Sequence, residues 1–210
     1  MLNVSIVYKV LSMLLMYPDA NLKLALNDFL LIFNNEKFLS EQSRENVFSF
    51  IKYFIEEDLL NLQQLYVDTF DRQKIYSLYL FEHVHGDSKD RGQAMVDLQN
   101  MYISNGFKIN SYELPDYLPV FLEYLSLISK EDSSCLLGEV INIIAIIGFR
   151  LKESNNLYNK LFFVLEDLSN VKFDKDIIES ALFYKKNVKI DEEFENEWIE
   201  PTFYYDKKFN

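Results

Sequence analysis

The chain has 210 residues and a mass of 25.0 kDa, enough for one substantial hydrophobic core but hardly for two. Hydrophobic residues make up 49% of it, including 18 Phe and 14 Tyr, which excludes disorder over most of the length. Only 5 Gly and 4 Pro are available for turns, too few for an all-β or a doubly wound α/β fold. The composition therefore predicts helices.

The balance of 21 basic and 33 acidic residues gives a formal net charge of -12, and such a surface repels the phosphate backbone of a nucleic acid. A basic peptide or protein suits this charge better as a partner, although acidity also simply keeps an aromatic-rich protein soluble. The single cysteine, Cys135, excludes an intramolecular disulfide and is typical of a protein in a reducing cytoplasm.

Two further features favour a cytoplasmic protein. Residues 1–16 lack the basic start and the cleavage site of a signal peptide. The longest apolar run, residues 140–149, is interrupted by Asn142 and is too short to span a bilayer. We therefore expect no direct insertion into a membrane.

In the first half of the chain, apolar residues recur at helical spacing. The pattern predicts four helices, at residues 7–15, 22–33, 41–55 and 59–70. Another helix is expected to run from Arg72 through Leu80 to the histidines. Gly86 suits the left-handed cap at the end of that helix, and Asp87 or Ser88 suits the N-cap of the next one.

The second half continues the helical pattern. A helix over residues 94–102 is stopped by Asn105-Gly106, and another begins within residues 115–119. The most apolar helix is expected over residues 135–151, where hydrophobic residues lie nearly all round and indicate a central position. Two weaker segments follow, at residues 157–168 and 177–184.

No internal repeat and no Gly- or Ser-rich linker divides the chain. Residues 187–210 have no helical period and hold six acidic residues between Asp191 and Glu200. We predict an all-α fold, a single-domain helical bundle of roughly nine to ten helices over residues 1–186, with an extended or partly disordered acidic tail over residues 187–210.

The segment HVHGDSKDRGQAMVDL, residues 83–98, concentrates the residues of chemical interest. It contains the chain's two histidines and two of its five glycines. His83, His85, Asp87 and Asp90 are possible metal ligands. On a helix, however, side chains two residues apart point about 200° away from each other, so His83 and His85 converge only if the helix has already ended. A metal-dependent hydrolase using His83, His85 and Asp87 is an alternative.

Arg91 and the tyrosines allow two interpretations each. Arg91 follows a short loop, where it either pairs with a neighbouring acid residue or shapes one end of a ligand groove. The aromatic residues at positions 66, 70, 76 and 79 are usually core, but half-exposed tyrosine is also typical of a recognition surface. In LPDYLP, residues 114–119, two prolines stiffen the segment that presents Tyr117 and Leu118.

Taken together, these motifs resemble the NarJ-type chaperones, also called the delta subunits of respiratory nitrate reductase. The matching motifs are YVDTFD (66–71), SLYLFEHVHGDSKDRGQAMVDL (77–98), GF (106–107), ELPDYLPVFLEYLS (113–126) and WIEP (198–201). The GDSKDRG–AMVDL and ELPDYLPV pair at this separation is highly specific. The resemblance covers the centre of the chain and the tail.

The resemblance implies a system-specific chaperone rather than an enzyme. Such a protein binds the N-terminal segment of the apo catalytic (alpha) subunit of nitrate reductase while molybdenum cofactor and iron–sulfur clusters are inserted. It implies that the chaperone stably binds no cofactor, that the client handles the molybdenum cofactor, and that cofactor delivery proteins are further partners. A general helical adaptor without any link to molybdoenzymes is the remaining alternative.

A basic amphipathic peptide would lay its apolar face in an aromatic-lined groove, with acidic residues attracting its cations. The predicted peptide-binding residues are Tyr66, Phe70, Tyr79, His83, Asp87, Arg91, Tyr117 and Leu118. The predicted loop-shaping residues are Gly86, Ser88, Asp90, Gly92, Pro115 and Pro119. His83 is also expected to make binding depend on pH near neutrality, because its ordinary pKa is about 6.5.

Overall fold

The computed structural model describes residues 4–34, 39–84, 89–109 and 113–187, and these residues form an all-α fold. The described part contains ten α-helices: α1 Val4–Leu14, α2 Ala20–Asn34, α3 Glu41–Glu56, α4 Leu59–Tyr66, α5 Lys89–Ser104, α6 Leu118–Leu125, α7 Lys130–Glu139, α8 Ile141–Glu153, α9 Asn159–Leu168 and α10 Lys175–Asn187. The predicted fold class is confirmed. Of the predicted tail, residues 187–210, Asn187 is the last residue of α10, and residues 188–210 lie outside the described residues.

The core forms where α8 packs on α9, α9 packs on α3, and α1 packs on α6. Helix α8 is the central one, since eight of its thirteen residues are buried. Helix α1 is tied to α6 by polar contacts as well: Ser12 donates a hydrogen bond from Oγ to the Pro119 carbonyl at 2.7 Å, and Lys9 pairs with Glu123. These contacts fix the end of α1 beside the start of α6.

The single helix predicted over residues 135–151 is wrong. Helices α7 and α8 are bent by 66° relative to each other, with the break at Val140. The bend brings α7 close to the segment after α9. Gly138 of α7 packs so closely against Val171 that a Cβ at this position would lie only 2.7 Å from Cγ2 of Val171. Among the described helices, none alone has the length and apolarity needed to cross a membrane, and only the bent α7–α8 pair meets those criteria jointly.

The helix predicted from Arg72 to the histidines is also wrong. A π-helical turn, Val67–Asp71, follows α4, and the chain then forms two 3₁₀ turns, Lys74–Tyr76 and Leu80–His83. Between these turns the backbone is extended, because it pairs with a distant segment. Leu80 donates its N–H to the Asp116 carbonyl at 3.0 Å, and Leu118 donates its N–H to the Leu78 carbonyl at 2.8 Å.

The π-helical turn has local and long-range support. Thr69 donates a hydrogen bond from Oγ1 to the Leu65 carbonyl at 2.7 Å, and Asn156 donates from Nδ2 to Thr69 Oγ1 at 2.7 Å. The wider turn places both Thr69 and Phe70 in the interior. Such turns within helices are frequent at functional sites, which directs attention to the YVDTFD motif.

Lys23 of α2 closes the C-terminal end of α3. Its ammonium group donates hydrogen bonds to the backbone carbonyls of Phe54 at 2.6 Å, Ile55 at 2.9 Å and Glu57 at 2.8 Å. The last carbonyls of a helix have no partner within the helix and carry its negative dipole end, so a cation there is stabilising. This contact joins α2, α3 and the start of α4.

Replacement of Lys23 should therefore destabilise the bundle without touching its apolar core. We expect Lys23→Met to lower the free energy of unfolding by about 1–2 kcal/mol, because three carbonyls lose a charged donor. Urea denaturation followed by far-UV circular dichroism measures the change. Lys52→Met, at an exposed position on α3, is the matched control and should change stability by less than about 0.5 kcal/mol.

Candidate functional site

The motifs at residues 77–98 and 113–126 meet through a short antiparallel backbone bridge. The paired residues are Tyr79 and Tyr117, with the Leu78 and Leu80 hydrogen bonds on either side. In such a pair the opposite side chains lie close together. The rings of Tyr79 and Tyr117 accordingly contact each other, with centroids 5.2 Å apart and planes tilted by 34°.

The aromatic contacts continue beyond this pair. The hydroxyls of Tyr117 and Tyr66 share a hydrogen bond of 2.8 Å. The ring of Tyr66 contacts that of Tyr17 edge to face, at 5.5 Å and 88°. We call these four side chains, Tyr17, Tyr66, Tyr117 and Tyr79, the tyrosine row. It joins the end of α1, the end of α4 and both motif segments.

The row is partly open to solvent. Tyr17 is 50% exposed, Tyr79 and Tyr117 are half-buried, and Tyr66 is buried beneath them. Tyr79 donates its hydroxyl to Glu113 Oε2 at 3.1 Å, and this carboxylate is exposed. The row can therefore offer aromatic area and a negative charge to the same ligand, which suits a segment that is both apolar and cationic.

The hydroxyls of Tyr66, Tyr79 and Tyr117 stay neutral. Burial is the main cause that raises the pKa of Tyr66, Tyr79 and Tyr117 above the ordinary value of 10. Nearby carboxylates act in the same direction, Glu113 on Tyr79 and Tyr117, and Asp71 on Tyr66 and Tyr117. The charge at this surface therefore comes from the carboxylates at its edges.

The side chain of Asp116 supports the backbone bridge from inside the protein and has no solvent exposure. Its Oδ2 accepts a hydrogen bond from the Phe81 N–H at 3.0 Å, while its Oδ1 is buried without a hydrogen-bond partner among the described residues. Burial raises the pKa of the Asp116 carboxyl to about 6, against the opposing effects of the Phe81 N–H and of Arg91. Arg91 itself pairs with Glu82 at 3.6 Å, one of the two interactions expected for it.

His83 is a structural residue in this conformation. It is buried, and its Nε2 donates a hydrogen bond to the Ser77 carbonyl at 2.9 Å. Burial lowers the pKa of its imidazole to about 4. The expectation that His83 titrates near neutrality is therefore wrong, because a desolvated imidazole resists protonation.

The metal-site alternative gains no support from the described residues. Among them, no group of three or more His, Cys, Asp or Glu side chains could hold a metal ion. His85 and Asp87, which that alternative needs together with His83, lie outside the described residues.

The other predicted site residues divide into three groups. The first group is buried and comprises Phe70, Leu118, Pro115 and Pro119. Leu118 has no exposed area, so in this conformation it lies under the surface and not on it. Asp90 and Gly92 are exposed in the first turns of α5. Gly86, Asp87 and Ser88 lie outside the described residues.

Sequence reasoning did not single out Tyr17, Asp71, Glu113 or Asp116 as site residues. Tyr17 had a detectable signal: it is an aromatic residue directly before Pro18, past the end of the apolar stripe of α1. Asp116 stands between two motif residues that were singled out, Pro115 and Tyr117. Its burial follows only from the bridge, which periodicity does not reveal.

A separate cleft of about 530 Å³ lies between α3, α8 and α9, and none of the motif residues lines it. Its walls include Ser43, Lys152, Phe163, Glu166 and Lys172. Burial raises the pKa of Glu166 to about 7, with both lysines opposing the shift. Oε1 of Glu166 is buried without a hydrogen-bond partner among the described residues.

Comparison with known proteins decides the family. The profile of the nitrate reductase delta subunit family matches residues 36–142, which include both motif segments and three members of the tyrosine row. The chain belongs to this family. The resemblance seen in the motifs is thus confirmed for the delta subunit family, while Tyr17 lies before the matched residues.

Named relatives align over most of the chain. The nitrate reductase molybdenum cofactor assembly chaperone NarJ of Escherichia coli (strain K12) is 38% identical over 167 residues, covering 80% of this chain and 71% of NarJ. The probable chaperone of the same kind NarW, from the same strain, is 36% identical over 172 residues, covering 82% and 71%. The probable NarJ of Bacillus subtilis (strain 168) is 29% identical over 160 residues, covering 76% and 86%.

Asp116 should give this delta subunit family member a pH-dependent stability. A carboxyl whose pKa is raised on folding holds its proton more tightly in the folded state, so the folded state loses stability as pH rises from about 4 to above 6. Asp116→Asn keeps an oxygen for the Phe81 N–H but cannot ionise. Over that pH range, the free energy of unfolding of Asp116→Asn should fall by up to about 3 kcal/mol less than that of the unchanged protein.

Urea denaturation at intervals between pH 4.5 and 8 measures this difference. Glu166→Gln is the comparison variant: burial raises the pKa of Glu166 in the separate cleft to about 7, so this variant should change the profile up to a higher pH than Asp116→Asn does. Identical pH profiles for Asp116→Asn and the unchanged protein would show that the buried carboxyl does not titrate in this range.

Proposed function

We propose that this protein is a maturation chaperone of respiratory nitrate reductase. In this proposal it binds the N-terminal segment of the apo catalytic (alpha) subunit at the tyrosine row, while molybdenum cofactor and iron–sulfur clusters are inserted into that subunit. Membership of the delta subunit family carries the proposal. The name of its relative NarJ, a nitrate reductase molybdenum cofactor assembly chaperone, supports the same role.

The surface of the tyrosine row suits such a client. Tyrosine rings supply large contact area at a low entropy cost, since each ring has only two side-chain torsions to fix. The Tyr79–Tyr117 contact and the Tyr66–Tyr117 hydrogen bond hold the rings in place before binding, which lowers the cost further. Affinity then comes from apolar burial against rings already in position.

Charge selects the client and speeds its arrival. The chain carries a net charge of -12, and Glu113 sits at the Tyr79 end of the row. A cationic segment approaches such a surface faster than a neutral or anionic one, and the effect weakens with salt. Arginines and lysines of the client segment therefore determine the association rate more than the dissociation rate.

The remaining partners follow from this role. The chaperone stably binds no cofactor of its own, and the molybdenum cofactor belongs to the client. Proteins that deliver the cofactor are further partners, and the exchange takes place in the cytoplasm. Arg91, in the first turn of α5, and Asp87, which precedes that helix in the sequence, remain proposed contacts at the edge of the peptide site. Gly86, Ser88, Asp90 and Gly92 are proposed to shape the loop.

The buried members of the predicted set act by positioning the row. Phe70 contacts the ring of Tyr66 at 5.0 Å from within the core, and Leu118 donates its N–H to the backbone bridge. A substitution at Leu118 therefore tests stability: Leu118→Ala should lower the free energy of unfolding by about 2–5 kcal/mol through the cavity it leaves.

Tyr117 provides the test of the binding site. Tyr117→Ala removes the ring that contacts Tyr79 and the hydroxyl that bonds Tyr66, so we expect about 10- to 100-fold weaker binding of a peptide with the client's N-terminal sequence. Isothermal titration calorimetry measures the affinity, and far-UV circular dichroism checks that helical content is kept. Tyr117→Phe keeps the ring and should retain most of the affinity.

Glu113→Gln separates the charge effect from the ring effect. We expect it to slow association two- to fivefold at low ionic strength and to matter little at 0.5 M salt, where charges more than about 5 Å apart are screened. Stopped-flow mixing gives the association rate. If both Tyr117→Ala and Glu113→Gln bind the client peptide like the unchanged protein, the tyrosine row is not the binding site.

A further inference from the structure

We propose that the docking surface extends past the family motifs onto Met16 and Tyr17, and that its two ends accept different side chains. The Met16–Tyr17 end takes an apolar side chain of the client segment, and the Glu113 end takes an arginine or lysine. This inference rests on the proposed function. It adds an order to the client segment: apolar and cationic side chains bind at opposite ends of the row.

The Met16–Tyr17 end is exposed although both residues are large and apolar. Met16 is 48% exposed and Tyr17 is 50% exposed, directly after a helix of which seven residues are buried. Leaving this area in water is unfavourable, and covering it would contribute to binding. Its position beside Tyr66 makes the client segment the ligand that can cover it together with the rest of the row.

The turn that carries Tyr17 is fixed on both sides. Gln63 of α4 donates a hydrogen bond from Nε2 to the Pro18 carbonyl at 2.9 Å. Asp19 accepts the Leu22 N–H at 2.7 Å and so caps α2. A ring held in this way loses little freedom when a ligand covers it.

Tyr66 makes the two ends parts of one surface. Its ring contacts Tyr17, and its hydroxyl bonds that of Tyr117, which in turn contacts Tyr79. Tyr66 is only 5% exposed, so it connects the more exposed rings from inside the protein. Through Tyr66, the exposed ring of Tyr17 and the half-buried rings of Tyr117 and Tyr79 belong to one continuous set of contacts.

The ends differ in charge. At one end the Glu113 carboxylate accepts the Tyr79 hydroxyl and is exposed to solvent. At the other end, Asp19 is the acidic residue next in sequence to Met16 and Tyr17. It accepts the Leu22 N–H and the Asn21 side chain at the N-terminus of α2, where the positive end of the helix dipole offsets its charge. A cation gains from the first end and an apolar side chain gains from the second.

Double-mutant cycles with the 210-residue chain test this order. The probe is a peptide with the N-terminal sequence of the catalytic subunit, together with variants in which each apolar, arginine or lysine residue is replaced by Ala in turn. We expect Tyr17→Ala to weaken binding of the unchanged peptide about tenfold. That loss should largely vanish with one apolar-to-Ala peptide and persist with the peptides that lack a cation.

Glu113→Gln should give the complementary pattern, coupling to an arginine or lysine and not to the apolar residue. Met16→Gln is the second variant for the apolar end, because it changes polarity there while keeping the Tyr17–Tyr66 contact. Tyr53→Ala is the matched control: Tyr53 is a 40% exposed tyrosine on α3, and its loss should leave peptide affinity unchanged.

The outcomes separate this inference from the function it rests on. If Tyr17→Ala and Met16→Gln bind the peptide normally while Tyr117→Ala binds weakly, the surface ends at Tyr66 and the inference is wrong, but the proposed site stands. Coupling of Tyr17 to a cation of the peptide would also overturn the inference. If Tyr117→Ala binds normally as well, the proposed site itself fails.

Discussion

The backbone pairing of residues 78–80 with residues 116–118 is the constraint on which the rest of this surface depends. Two hydrogen bonds, at 3.0 and 2.8 Å, tie segments separated by more than 30 residues. They bring Tyr79 beside Tyr117 and bury Asp116, whose carboxylate then accepts the Phe81 N–H. Without this pairing the segment before α6 would carry its tyrosine elsewhere, and the row would lose its middle.

The tyrosine row is also continuous with the core through aromatic contacts. Tyr66 and Phe70 both contact the ring of Tyr158, at 6.3 and 4.7 Å, and Tyr158 contacts Phe50 and Phe54 of α3. A close-packed protein interior has low compressibility, so the displacement of one side chain is passed on to its neighbours. If a client binds the row as proposed, a shift of the exposed rings would reach α3 and α9 through Tyr158.

The local sequence pattern predicted the helices whose position is determined by residues close together in the chain. Helices α2 and α3 follow the apolar spacing, and α6 begins where Pro119 occupies the first turn. The segment after Arg72 escaped prediction because its extended backbone is paired with residues far along the chain, which periodicity does not register. The break at Val140 and the burial of His83 were missed for the same reason: each depends on what packs against it.

The residues of the candidate site show the same difference between local sequence signals and contacts made only in the fold. The tyrosines at positions 66, 79 and 117 stand in recognisable motifs, whereas Tyr17 joins them only through the fold. Burial raises the pKa of the Tyr66, Tyr79 and Tyr117 hydroxyls, so these three rings remain neutral, and it also raises the pKa of the Asp116 carboxyl beneath the bridge to about 6. Aromatic contact area and charge are therefore carried by different residues of this surface, so the proposed binding of a client would draw on both.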